Sequence, residues 1–147
     1  MIDRAMVERK IRAIQEDLLK LGEFRGASFD DIAKDYWKHK AVERVLEVIV
    51  GEAIDINQHL VIKNEKGGLP FDFTKSFLFL VELGVYPEEF AKKIADSVGL
   101  RNILVHQYRE LDEHIFYSSI KDCLEQYTQY CKYIAGYLER KEKTITS

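Results

Sequence analysis

Apolar residues recur along this chain at spacings of three and four, and no segment sustains the alternation of a half-buried strand. The pattern therefore predicts an all-α protein. The first helix is expected from about Asp3 to Leu21, with Met6, Ile11, Ile14, Leu18 and Leu21 on one face and Gly22 as its stop. A second begins near Phe29, with Asp30 and Asp31 favouring the helix dipole in its first turn, and continues to about Ile62. Within it Val42, Val45, Leu46, Val48, Ile49, Val50, Ala53, Ile54 and Ile56 fill more than one stripe, which predicts cover on two sides, by the protein's own core and by a partner chain. The stretch KNEKGGLPFD then breaks the helix at Gly67, Gly68 and Pro70. It reads as a loop inside a single domain spanning residues 1–147, since neither flank would fold alone.

A short third helix is expected from about Thr74 to Leu83, ended by Gly84. Pro87 opens a fourth in the first-turn position and is followed by Phe90, Ile94, Ala95, Val98 and Ile103. A fifth starts after a capping Asp112 and carries Ile115, Ile120, Leu124, Tyr127 and Ile134 to about Leu138, leaving KEKTITS as a frayed polar tail. The expected fold is a compact bundle of about five helices with a long second helix.

Composition narrows the function classes. With 147 residues, 46% of them hydrophobic, the chain is long enough to bury a core without disulfides or metal. Its 22 basic and 25 acidic residues give a net charge of -3, which excludes a nonspecific polycation and confines any nucleic-acid contact to a local patch. The first ten residues, MIDRAMVERK, lack the apolar run of a signal peptide. The most apolar stretch, VERVLEVIVGEAIDI, is interrupted by Glu43, Arg44, Glu47, Glu52 and Asp55 and cannot span a bilayer, so a cytoplasmic protein is expected. Cys123 and Cys131 sit eight apart on one helix, roughly 12 Å by helical rise, and read as reduced structural thiols.

Candidate chemistry concentrates in RNILVHQY, residues Arg101 to Tyr108. Arginine offers a planar, permanently charged fork to phosphate oxygens, and histidine serves as acid or base near neutral pH. Together they suit metal-free cleavage of an RNA phosphodiester, in which the 2′-hydroxyl is deprotonated, the leaving oxygen protonated and the phosphorane-like charge stabilised. Asn102 lies four residues before His106 and is placed to hold its imidazole. Arg101 and His106, five apart, lie about 140° around one helix axis and do not point at a common atom. Either the helix ends near Val105, or two chains related by a two-fold axis share the site. The same residues at a helix C-terminus would also complement the dipole with no catalytic role, and the spacing alone leaves that reading open.

Other groups have plainer readings. Glu43, Arg44, Glu52, Asp55 and His59 could be imagined as metal ligands, but Asp55 and His59, which share a helix face, make at most half a metal site and no Cys or His cluster completes it, so contacts that fix helix register or line a dimer cleft are expected. Tyr36, Trp37, Lys38, His39 and Lys40 combine aromatic and basic character, and a solvated helix face is preferred over an RNA surface. Tyr117, Tyr127, Tyr130, Tyr133 and Tyr137 are expected to pack the last helix, with hydroxyls reaching water.

Arg101, polar Asn102, three apolar residues, His106 and Tyr108 resemble the Arg-x4-His-x-Tyr motif of HEPN-domain proteins, in particular the HepT-like family of small helical toxins. The similarity covers most of the chain: Val42-Glu43-Arg44, Glu52 to Ile56 and His59 in the long helix, Pro70 before Phe77-Leu78-Leu80, the Gly84 to Pro87 turn, and Asp112. Leu100 departs from it, standing where relatives often carry an aromatic. The resemblance implies a homodimer whose cleft holds a composite, metal-independent ribonuclease site, with Arg101 and His106 catalytic, Asn102 supporting and no cofactor. It also implies a partner, a nucleotidyltransferase antitoxin of the minimal MNT type that transfers AMP to Tyr108 and so silences RNA binding. The competing readings are a noncatalytic helical dimer that binds nucleotide or RNA, and a purely structural scaffold.

Overall fold

Seven helices and no strand make up the regular structure of the described residues: α1 (Arg4–Gly22), α2 (Phe29–Lys34), α3 (Tyr36–Lys63), α4 (Phe73–Glu82), α5 (Glu88–Ala95), α6 (Ser97–His106) and α7 (Glu113–Thr146). The structure is a computed structural model that describes residues 1–24, 29–64, 72–106 and 113–146, with 29, 30, 33, 104–106, 113–117 and 144–146 described by backbone alone. The predicted break at Gly67, Gly68 and Pro70 and the predicted cap Asp112 lie outside the described residues, as do the side chains of Ile115 and Tyr117.

Two expected helices are each divided. The second is interrupted at Asp35, whose extended backbone (φ −100°, ψ 106°) lets its carboxylate accept the Trp37 and Lys38 N–H groups at 3.0 and 3.2 Å. Asp35 is thus an N-cap, and the orphan donors of a new helix outweigh continuation of the old one. The fourth is interrupted at Asp96. There the Ser97 hydroxyl donates back to the Ile94 carbonyl at 2.6 Å and shares a 2.7 Å hydrogen bond with the Tyr127 hydroxyl, a local alternative to helical pairing.

Three ends also differ from expectation. Gly22 lies within α1 rather than stopping it, and the cap residue is Glu23. Pro87 is the N-cap of α5, one position before the predicted first turn. The tail is helical to Thr146, because Glu139 to Lys143 are good helix formers with no Gly or Pro among them, and Arg4 of α1 pairs with Glu142. Gly84 ends α4 as predicted: at φ +80° its N–H bonds Val81 O at 3.0 Å while Val85 N–H bonds Leu80 O at 3.0 Å, a Schellman closure.

Helix α3 is the axis of the fold and packs against α1, α2, α4, α6 and α7. Of its nine predicted apolar positions, seven are buried, with Val45 and Val48 half-buried. The second layer of cover that the pattern assigned to a partner chain is therefore supplied by this chain's own helices. A case for a dimer has to come from the site instead.

The α1–α3 seam is laced by polar contacts. Lys10 Nζ reaches Glu52 Oε2 at 3.0 Å and Asp55 Oδ2 at 3.1 Å, and the Asp3 N–H donates to His59 Nε2 at 2.9 Å. These carboxylates and His59 fix register, in keeping with the plainer reading of them. No cluster of His, Cys, Asp and Glu able to hold a metal occurs among the described residues.

Candidate active site

Helix α6 is short and packs against α3, with Val98 buried and Leu100 and Ile103 half-buried. It is helical through His106. α6 extends to His106, within a residue of the expected end near Val105, and positions 101 and 106 lie about 140° apart around one axis. Asn102 and His106 do fall one above the other on this helix, and Asn102 is exposed. The His106 side chain and the whole of Tyr108 lie outside the described residues.

Arg101 turns inward, toward the junction of α3 and α4. Its guanidinium carbon stands 5.3 Å from the centroid of the Phe73 ring, inside the roughly 6 Å range of a cation–π contact. Its Nε is buried and has no hydrogen-bond partner among the described residues. A Cβ placed on Gly51 would come within 4.0 Å of that nitrogen, so the α3 backbone forms the wall on that side. A buried, unpaired donor on a cation carries a desolvation cost of about 1–3 kcal/mol. A buried donor left unpaired calls for an explanation, and an acceptor brought by a ligand is one.

Beneath Phe73 runs a buried polar chain. Tyr130 Oη donates to Asn57 Oδ1 at 2.6 Å, Asn57 Nδ2 donates to Ser76 Oγ at 3.3 Å, and Ser76 Oγ donates to the Phe73 carbonyl at 2.6 Å. Asn57, Ser76 and Tyr130 are fully buried. The expectation that the tyrosine hydroxyls reach water fails at Tyr127 and Tyr130, whose hydroxyls bond inside the core. Burial holds both phenols well above their usual range, so they act here as donors and not as bases.

Other chemistry-bearing groups are muted by their surroundings. Cys123 and Cys131 are buried free thiols, and burial pushes Cys131 up to about 12 and Cys123 higher still. Tyr36 and Trp37 are exposed and meet edge to face at 5.2 Å, with Lys40 Nζ 5.7 Å from the Tyr36 centroid and His39 Nε2 2.7 Å from Glu43 Oε1. Mixed charge around the two rings agrees with the solvated face preferred from the sequence.

Phe73, Gly51 and the Asn57–Ser76–Tyr130 chain are absent from the residues the motif singles out. Gly51 did leave a trace: a glycine inside so apolar a helix costs about 1 kcal/mol relative to alanine. Asn57, directly after Ile56 in the same helix, left a second.

Comparison with known proteins gives this arrangement a setting. The family model for HepT-like ribonucleases matches residues 14–134. A tRNA nuclease HepT of Aphanizomenon flos-aquae (strain 2012/KM1/D3) is 34% identical over 93% of this chain and 92% of its own. An mRNA nuclease HepT of Shewanella oneidensis is 26% identical over 86% of this chain and 88% of its own. In fold the chain is similar to a tri-AMPylated Shewanella oneidensis HEPN toxin solved in complex with an MNT antitoxin, with a TM-score of 0.80, 24% identity and coverage of 92% and 99% of the two chains. Among the described residues no helix is long and apolar enough to cross a membrane.

Proposed function

The chain belongs to the HepT-like ribonuclease family, and from that premise we propose that it is the RNA-cleaving toxin of a toxin–antitoxin pair, acting as a homodimer without metal. The continuity of α6 through His106 carries the site assignment. Arg101 and His106 of one chain diverge, so the working pair is Arg101 of one protomer with His106 of the other, and two-fold symmetry supplies two such pairs. The 2′-oxygen attacks phosphorus, the bond to the 5′-oxygen breaks, and a cyclic phosphate and a free 5′-hydroxyl result. Arg101 supplies the unfilled Nε donor and its charge to the phosphoryl oxygens, and His106 moves a proton, with Asn102 steadying its ring.

The likeness to an AMPylated toxin bound to an MNT antitoxin supports the same class of partner for this chain, with Tyr108 as the modified residue. An added AMP brings phosphate charge to a place where RNA phosphate must bind, and repulsion shuts the site.

Mixing two inactive variants provides the test. Arg101→Ala and His106→Ala homodimers should each lose EDTA-resistant cleavage of RNA. Subunits mixed in equal amounts and allowed to exchange should recover about a quarter of wild-type activity, since half the dimers are mixed and each has one intact shared site. A mixture as inactive as its parents would remove the shared site.

A further inference from the structure

We propose that Phe73 is a positioning residue for Arg101, and that the buried chain Tyr130–Asn57–Ser76 exists to hold Phe73 in place. The inference rests on the reading of Arg101 as the phosphate-binding group. Phe73 is the first residue of α4, where helix ends ordinarily fray. Two devices hold it here. Asp72 accepts the Lys75 N–H at 2.7 Å as the N-cap, and Ser76 Oγ, fixed through Asn57 to Tyr130 of α7, grips the Phe73 carbonyl at 2.6 Å. Tyr130 is itself tied to α3 through the Ala53 carbonyl at 3.1 Å. Three helices therefore converge, through neutral hydrogen bonds in the core, on the backbone of the residue whose ring covers Arg101.

The choice of an aromatic ring has a physical reason. A carboxylate beside Arg101 would hold it more firmly, but would occupy its donors and cancel the charge that a phosphate needs. A ring face attracts the guanidinium through its quadrupole and leaves every N–H free. Among the described residues Arg101 Nε has no acceptor, as this division of labour requires. A Cβ on Gly51 would meet Nε at 4.0 Å while the ring lies over the guanidinium carbon, and among the described residues Nε has no acceptor.

The test places tyrosine, leucine and a series of fluorinated phenylalanines at position 73 of the full chain, with a single-stranded RNA oligonucleotide as substrate. Fluorination weakens the ring quadrupole while keeping its shape. The expected result is a stepwise fall in kcat, reaching about tenfold for pentafluorophenylalanine and for Phe73→Leu, with KM and thermal midpoint little changed and Phe73→Tyr close to wild type. A second readout needs no catalysis: the Arg101 Nε–H resonance in the ¹⁵N-labelled protein should be shifted by the ring current, and should move in Phe73→Leu. An unmoved resonance, or Phe73→Leu cleaving at the wild-type rate, overturns the proposal. Equal losses in the tyrosine and leucine variants also overturn it. If the wild-type protein cleaves no RNA but the resonance moves, the ribonuclease reading fails and the hold of Phe73 on Arg101 stands.

Discussion

Toward α1, helix α3 presents Glu52, Asp55 and His59, and each meets a partner: Lys10 bridges the two carboxylates and His59 accepts the Asp3 N–H. Toward α4 and α6 it presents Gly51 and Asn57, where a cation lies over an aromatic ring with an unfilled donor and a neutral hydrogen-bond chain runs beneath. The first seam is half-exposed and charge-matched, which costs little and contributes little, about 0–1 kcal/mol for such a pair. In the second, the Asn57–Ser76–Tyr130 chain is fully buried beside the half-buried Arg101 and Phe73, and its bonds matter because water cannot replace a lost partner. Register can be set by cheap, redundant contacts.

The largest stability effect should come from the buried side. Asn57→Ala removes two buried hydrogen bonds, leaving Tyr130 with only the Ala53 carbonyl and Ser76 with only the Phe73 carbonyl, and should cost about 1–3 kcal/mol in denaturant unfolding. A loss below 1 kcal/mol would mean the two seams do not differ in kind. On the half-exposed side, Lys10→Met should cost only about 0.5–1 kcal/mol, and the difference from wild type should shrink as salt rises to about 1 M. A cost as large as that of Asn57→Ala, insensitive to salt, would break the comparison from the other direction.

The smallest effect is a pH dependence. Burial, followed by the charge of Lys63, lowers His59 below its ordinary 6.5, and its Nε2 must stay unprotonated to accept the Asp3 N–H. Protonation thus favours the unfolded chain. The contribution of His59 is complete above about pH 6.5 and is lost as pH falls toward the folded value. Unfolding curves from pH 7.5 to 5 should show that decline in the wild type and a flatter one in His59→Gln. Parallel curves would show that His59 is not neutral in the fold.

Much of this was legible in the chain. Spacings of three and four gave the all-α class, Gly84 its turn, and Ile11, Ile14, Leu18 and Leu21 the inner face of α1. The breaks at Asp35 and Asp96 were hidden because apolar periodicity runs through them, and only capping and back-bonding geometry separates a kink from a continuous helix. The apolar excess of α3 was visible, but its cause was not: periodicity shows how much of a helix is covered and does not show by whom. For the site, RNILVHQY named Arg101 and His106 and even exposed their divergence around the axis, since helical geometry fixes angles between neighbours on one element.

The sequence by itself determined the helical class, the capped turn at Gly84, the family motif and the conflict between Arg101 and His106. All of these depend on residues within a turn or two of one another. Only the tertiary structure decided that α3 is wrapped by its own chain, that Arg101 turns toward α3 and α4 with its Nε unfilled, and that Phe73, 28 positions earlier, covers it. Those facts depend on contacts between helices, where the packing of the Arg101 side chain beside Gly51 and the bonding of Asn57 to both Ser76 and Tyr130 lie beyond anything local propensity can encode.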